Sequence, residues 1–490
     1  MNPYLLLINS KENKTNGRRG GSLRIVFKVD NFLKIEKAEI DITNFCVFIG
    51  NNNSGKTKLM ELIYGVQNYL SKTIPSMNYH FRNNRVQFPK EKIGKFIDTV
   101  NLILENEKEE ILQSIFNKEM SVGSMKFEIT EIDEWYEAIV ITNDNIDKLY
   151  ERNRELRYLN YMYQNNIEKL LEEKTLIAVY AHNESNNVKG RLLNVIGTSN
   201  KSDRSFAKMR INKTIMCRLF GIEDSSLFFP ASRMGLAMLY KEYFNSLGSN
   251  RRMWIDEESS LVVDTYQQSN HVTKPVLDFL RFLQGYSYNV SGAKKNADLI
   301  EFVNEHLLEG ALDENGEIAA YTPKGSDIKV PLYLSSSMIN ELDPIMKMLT
   351  ARDQTTMLYY DEIETSLHPL KQLEMVKLLN RLNNKGMRII VATHSDTFVT
   401  KLNNLLLLAR SGKVGEEPVY LRDGKIEISK DDLLKTDDIH IYQFINKSNG
   451  RSEVKELEFR TAPMTGYSFE LFEDSSTSLF EETKLALGIE

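Results

Sequence analysis

The run Gly50-Asn51-Asn52-Asn53-Ser54-Gly55-Lys56-Thr57 constrains this chain more than any other eight residues in it. It fits G-x-x-x-x-G-K-[ST] and lies between an apolar strand-like stretch, Cys46-Val47-Phe48-Ile49, and a helix-forming one over residues 58–64. A strand that turns through glycines into a helix leaves backbone N–H groups curled around an anion, and the helix N-terminus adds partial positive charge. In that geometry Gly50, Asn52, Asn53, Ser54 and Gly55 line a phosphate. Lys56 reaches the outer phosphates, and Thr57 offers its hydroxyl to Mg²⁺.

The surrounding chain is that of a soluble globular protein: 490 residues, 41% apolar and 27% charged, enough for two or three domains. A net charge of −6 excludes a uniformly basic coat for nucleic acid and leaves room for a local basic groove. Two cysteines, Cys46 and Cys217, exclude a disulfide or zinc-ribbon scaffold and fit a reducing cytoplasm. No run approaches the roughly 18 apolar residues of a membrane span, so no membrane partner is expected. The first eight residues lack a basic lead and read as an edge strand rather than a signal peptide.

Short apolar runs over residues 23–27, 37–42 and 46–49 read as strands, after a polar loop at 10–21. Residues 56–118 are expected to be mostly helical, with a strand pair at 125–129 and 136–142. One helix is expected over 144–175 and further helices over 258–308. Residues 227–229 form a buried strand. A strand pair at 317–321 and 328–334 leads into a helix at 338–350. Buried strands at 356–360 and 388–393 flank a helix at 369–384. A helix, a hairpin, more strand sequence and a polar helical tail follow. The domains read as an N-terminal lobe (1–65), a mostly helical insertion (66–225), a strand with a helical subdomain (226–330), a C-terminal lobe (331–410), and terminal strands with a tail helix (411–490).

Three more stretches carry chemistry. Met357-Leu358-Tyr359-Tyr360 delivers Asp361 and Glu362 at a strand's C-terminal end, where ligands of open α/β sheets sit. Asp361 is suited to hold Mg²⁺ and Glu362 to polarise an attacking water. The turn Ser335-Ser336-Ser337, 26 residues before Asp361, opens a helix and presents hydroxyls and N–H groups to an anion. His394 ends the strand 33 residues after Asp361 and has a ring nitrogen to offer a γ-phosphate.

A phosphate loop, a Ser-rich signature, an Asp-Glu pair and a strand-end His, in this order, resemble the motif set of ABC ATPases. The run Asp361-Glu362-Ile363-Glu364-Thr365-Ser366-Leu367-His368-Pro369 resembles the D-E-P-E-x-x-L-H-P of the RecF/OLD/SMC-like branch, and the lead-in over residues 32–57 does so too. Phe229-Pro230-Ala231-Ser232-Arg233 is similar to a P-A-x-R segment of the same branch. Two departures stand out. Ser336 and Ser337 replace the Gly-Gly of transporter-type proteins, and Ile363 stands where Pro is usual.

The resemblance implies an α/β fold: a split ATPase head, a mixed sheet with flanking helices, interrupted by a long insertion. Lys56 and Asp361 lie about 300 residues apart, whereas small GTPases and AAA+ modules keep these parts closer. It further implies hydrolysis of ATP to ADP and phosphate with Mg²⁺, Glu362 and His394 as the catalytic pair, and Thr57 and Asp361 on the metal. In such proteins Ser335, Ser336 and Ser337 complete the site of another subunit, so a homo-oligomer is expected. OLD-type proteins append a TOPRIM nuclease after the His strand. The 96 residues after His394 hold Asp431-Asp432 and Asp437-Asp438 but no glycine-preceded Glu followed by Asp-x-Asp. The effector, a nuclease or toxin, is therefore expected to be a separate protein, as with stand-alone ATPases of anti-phage operons such as Septu, PARIS and some retrons. The alternative is a DNA-repair or DNA-end-binding ATPase that uses the basic stretch 188–218. That stretch also fits a solvated surface.

Overall fold

The computed structural model describes residues 24–130, 134–142, 145–146, 171, 175–183, 191–198, 204–223, 225–249, 272–313, 319–422, 426–435, 438–460 and 466–487. The edge strand at 1–8, the loop at 10–21, nearly all of the helix at 144–175, and residues 258–271 fall outside them.

In chain order the elements open with β1 (Arg24–Phe32), β2 (Ile35–Asp41), β3 (Phe45–Gly50), α1 (Lys56–Lys72), β4 (Arg85–Phe88), α2 (Lys90–Asn106) and α3 (Lys108–Phe116). The insertion continues with β5 (Ser124–Thr130), β6 (Glu134–Ile141), β7 (Leu176–Asn183), β8 (Arg191–Gly197) and α4 (Arg204–Phe220). Then come β9 (Ser226–Phe229), α5 (Arg233–Ser249), α6 (Lys274–Gly285), α7 (Val290–Lys295), α8 (Ala297–Phe302), β10 (Gly310–Asp313), β11 (Ala320–Pro323), β12 (Val330–Pro331) and α9 (Ser337–Thr350). The last part holds β13 (Met357–Tyr360), α10 (Pro369–Asn384), β14 (Arg388–Thr393), α11 (Asp396–Ser411), β15 (Val419–Leu421), β16 (Ile426–Ile428), β17 (Ile439–Asn446), β18 (Ser452–Leu457) and α12 (Glu470–Leu487).

Nine strands form one mixed sheet in the order β5-β1-β2-β18-β17-β3-β14-β13-β9. Five of them, β17, β3, β14, β13 and β9, run parallel. β3 and β13 are buried at every position, as parallel strands covered on both faces must be. Their side chains alternate between two cores. Cys46, Phe48, Met357, Tyr359, Ile390 and Ala392 pack with α1 and α4 on one face. Phe45, Val47, Ile49, Leu358, Tyr360, Ile389 and Val391 pack with α9, α10 and α11 on the other. The register pairs Ile49 with Thr393 and Tyr360 with Phe229, so the loops that follow leave from one edge.

Three local expectations need correction. The strands near 125–129 and 136–142 do not pair. β5 joins the edge of the large sheet beside β1, and β6 lies between β4 and β7 in a separate four-stranded sheet. Phe127 decides this, because its ring packs 5.1 Å from Phe27 and 5.3 Å from Phe220. A strand, β4, interrupts the helical stretch 56–118. The second pair exists as β11 and β12, with β10 as a third strand, but residues 332–334 form a 3₁₀ turn instead of strand. Pro331, without an N–H to give the ladder, ends β12 there. Among the described residues no helix is long and apolar enough to cross a membrane.

Candidate functional site

The loops at that common edge bring together residues far apart in sequence. After β3 the chain turns through Gly50 at φ 152° and Gly55 at φ 99°, with Asn53 also at positive φ. Gly50 has no alternative: a Cβ there would meet the carbonyl oxygen of Phe444 on β17 at 2.5 Å. Two outside side chains brace the loop, Lys34 Nζ donating to Asn53 O at 2.8 Å and Asn446 Nδ2 to Asn52 O at 3.3 Å. Lys56, buried at the start of α1, donates to Gly50 O at 2.9 Å and Asn51 O at 3.0 Å, with Ser54 Oγ at 3.4 Å. Burial pulls its ammonium down to about 8, against the attraction of Asp361, Glu364 and Glu362.

Thr57 Oγ1 lies 3.0 and 2.9 Å from the two oxygens of Asp361, across a sequence separation of 304. Burial pushes the Asp361 carboxyl up to about 6; the Thr57 hydroxyl opposes this and Glu362 adds to it. A buried carboxylate beside a hydroxyl, both hard oxygen donors, fits Mg²⁺, which takes one or two protein ligands and completes its shell with phosphate oxygens and water. No group of three His, Cys, Asp or Glu side chains suited to holding a metal by itself exists among the described residues.

Glu362 is 43% exposed at the side chain and stands in left-handed backbone, φ 44°, a conformation a non-glycine residue keeps only when its surroundings hold it there. His394 lies between the carboxylate and the loop. Its Nδ1 is 3.4 Å from Lys56 Nζ and its Nε2 is 3.9 Å from Glu362 Oε1. Burial and the Lys56 ammonium push the imidazole below its ordinary value, so the ring is neutral at pH 7.

A supporting layer was only partly foreseen. Glu364 accepts from Thr393 Oγ1 at 2.7 Å and from the His394 N–H, fixing the end of β14. The Ser395 hydroxyl donates to Gln372 on α10 and caps α11. Arg233, fully buried, donates to the carbonyls of Asp361 at 2.7 Å and Glu362 at 3.1 Å. The motif Asp361-Glu362-Ile363-Glu364 contained Glu364, and the P-A-x-R segment contained Arg233, but neither spacing states a partner.

Ser335, Ser336 and Ser337 stand elsewhere. The 3₁₀ turn delivers Ser335, Ser336 occupies the N-cap position of α9 without a side-chain capping hydrogen bond, and Ser336 and Ser337 are exposed. Asn340 Nδ2 holds the turn from inside by donating to the carbonyls of Leu332, Ser335 and Ser336. Ser335 and Ser336 line an open groove of about 840 Å³ with Tyr321, Lys324 and Leu334; no phosphate-loop residue lines it.

A family model described as AAA ATPase domain matches residues 26–399, a span that contains the phosphate loop, both carboxylates and His394. The chain belongs to the AAA ATPase domain family. Among solved structures the chain is similar to an SMC head bound to the C-winged helix domain of ScpA, with TM-score 0.35 and 12% identity over 89% of this chain and 97% of that one. It is also similar to the SMC head domain from Thermotoga maritima, with TM-score 0.32 and 10% identity over 89% and 99% of the two chains. A third is the Smc head with extended coiled coil bound to the C-terminal domain of ScpA, from Pyrococcus furiosus, with TM-score 0.32 and 12% identity over 94% and 100%. No curated protein matches the chain.

Proposed function

We propose that this chain binds ATP at residues 50–57 and hydrolyses it with Glu362, in a site completed by the Ser-rich turn of a second copy. The observation that carries the reading is the meeting of Thr57 and Asp361 beside the exposed Glu362. The loop N–H groups and Lys56 bind the phosphates. Thr57 and Asp361 hold Mg²⁺, which when bound neutralises charge on the β- and γ-phosphates. Glu362 orients a water whose oxygen bonds to the γ-phosphorus as the bond to the β-phosphate oxygen breaks. The water's proton passes to the Glu362 carboxylate, and ADP leaves with phosphate. His394 offers a ring N–H to the γ-phosphate. Ser335, half-buried, and Ser336, exposed, stand at the opening of α9 outside the phosphate-loop site and are disposed to meet a nucleotide held by another copy.

The same reading makes the ATPase a switch for a separate effector protein in anti-phage defence; its support is the motif resemblance to stand-alone ATPases of such operons. The DNA-binding alternative has less behind it. Of the basic stretch, Arg218 pairs with Glu134 at 2.6 Å and Lys208 lies over the Tyr79 ring, so both are engaged within the fold.

Lys56→Ala in the folded full chain should abolish ATP binding in a titration. Glu362→Gln should keep the affinity and lose about a hundredfold in hydrolysis. ATP affinity unchanged by the first, or turnover unchanged by the second, contradicts the assignments. For the defence role, cells carrying this gene with its neighbours should restrict phage plating and lose the effect with Glu362→Gln; equal plaque counts for the two count against it. For the shared site, a Ser335→Ala, Ser336→Ala chain should bind ATP and hydrolyse it poorly. Mixed with Lys56→Ala it should regain part of the activity, because one of the two sites then joins an intact loop to an intact turn. Full hydrolysis by a protein that is monomeric under assay conditions decides against sharing.

A further inference from the structure

Arg233 is the largest side chain in the described core with no exposed surface, and a buried arginine needs a reason. It opens α5, directly after the β9 strand end, and reaches across to two other elements. On one side Nη1 and Nη2 donate to the carbonyls of Asp361 and Glu362, and Nη1 also to Pro230 O at 3.1 Å. On the other side Nη2 is in ion contact with Glu341, a fully buried residue in the second turn of α9, the helix that the Ser-rich turn opens. The guanidinium carbon lies 4.5 Å from the centroid of the Tyr360 ring, the last residue before the carboxylates. One side chain therefore touches the strand that carries the carboxylates, the backbone of both, and the signature helix.

Among the described residues the ion contact lacks hydrogen-bond alignment: Arg233 Nε and both Glu341 oxygens have no hydrogen-bond partner. The carbonyl contacts are well formed by comparison. The pair is thus joined mainly by charge, a tie that tolerates displacement along α9, while the fork on the carbonyls is directional. The Glu362 carbonyl that Arg233 holds belongs to the residue at φ 44°, where strain must be offset by contacts. Resting on the ATPase reading above, we infer that Arg233 is a positioning residue for Glu362, coupled through Glu341 to the signature helix. Seating of the Ser-rich turn on a second copy's nucleotide would shift α9, and Arg233 passes that shift to the backbone of the hydrolytic carboxylate. The ligand chemistry sensed is the γ-phosphate at the turn; the response is the aim of Glu362.

The test separates positioning from mere neutralisation of two buried charges. In the full chain, Arg233→Met together with Glu341→Leu removes both charges and avoids the uncompensated one that either single change leaves. This variant leaves three backbone carbonyls without the Arg233 donor, so it should melt somewhat below the wild-type temperature, and it should bind a fluorescent ATP analogue within about threefold of wild type. Its kcat should fall by about tenfold or more. In a chain already carrying Glu362→Gln, the same pair of changes should lower the residual single-turnover rate no further. A wild-type kcat in the folded double variant overturns the inference, as does a further additive fall in the Glu362→Gln background. Should the double variant not fold, Arg233→Lys keeps the charge opposite Glu341 but cannot fork onto two carbonyls, and the same loss of kcat at unchanged affinity is expected; wild-type kcat there overturns it equally. Wild type measured alongside keeps the two claims apart. A wild type that binds ATP without turnover counts against the ATPase reading itself, whereas normal turnover in wild type and variant counts against the coupling alone.

Discussion

The register of β3, β14, β13 and β9 is the constraint on which the rest of the site depends. Parallel pairing aligns Ile49 with Thr393 and Tyr360 with Phe229, so four strand ends discharge their loops at one edge. A slip of one residue in any strand would turn its side chains to the wrong core. Tyr359, for example, would leave the cluster of Tyr64 and Phe228 for the opposite face. Because both faces are packed, that slip is strongly disfavoured, and the distance from Thr57 to Asp361 follows from the hydrophobic pattern.

That edge collects charge the interior does not tolerate unpaired. Lys56, Asp361, Arg233 and Glu341 are all buried, and each such ion costs several kcal/mol to desolvate before any pairing. Burial pushes Lys56 down to about 8, Asp361 up to about 6 and Glu341 up to about 7, the last against the pull of Arg233. A fold selected for stability alone would replace such groups with apolar ones. Their presence fits the proposed site for a highly charged ligand, in which Lys56 would meet phosphate and Asp361 a cation, while Arg233 and Glu341 stay internal between the carboxylate loop and α9.

Much of this was legible in the sequence, for physical reasons that differ by element. The phosphate loop is contiguous, its glycines answer local backbone needs, and the flanking strand and helix have clear periods. β13 and β14 announce themselves as short runs buried on both faces. What stayed hidden was non-local. Nothing within residues 439–446 states that β17 lies against β3, or that the Tyr442 hydroxyl takes the Asp41 N–H. β5 and β6 look like neighbours because consecutive strands usually pair, and only the Phe127 cluster reveals their separate sheets. Arg233 was visible as part of a segment but not as a buried donor, since an arginine in sequence reads as surface. The four-stranded sheet β4-β6-β7-β8 draws its strands from pieces that a helix-dominated stretch conceals.

The central claim is that two segments about 300 residues apart form one nucleotide site. Hydrogen–deuterium exchange of the full chain, with and without Mg²⁺ and a non-hydrolysable ATP analogue, tests it without any substitution. The account predicts that peptides covering residues 50–58 and 357–364 gain protection together and with the same dependence on nucleotide concentration. Protection confined to one of the two segments, or the same exchange in both states, would contradict it.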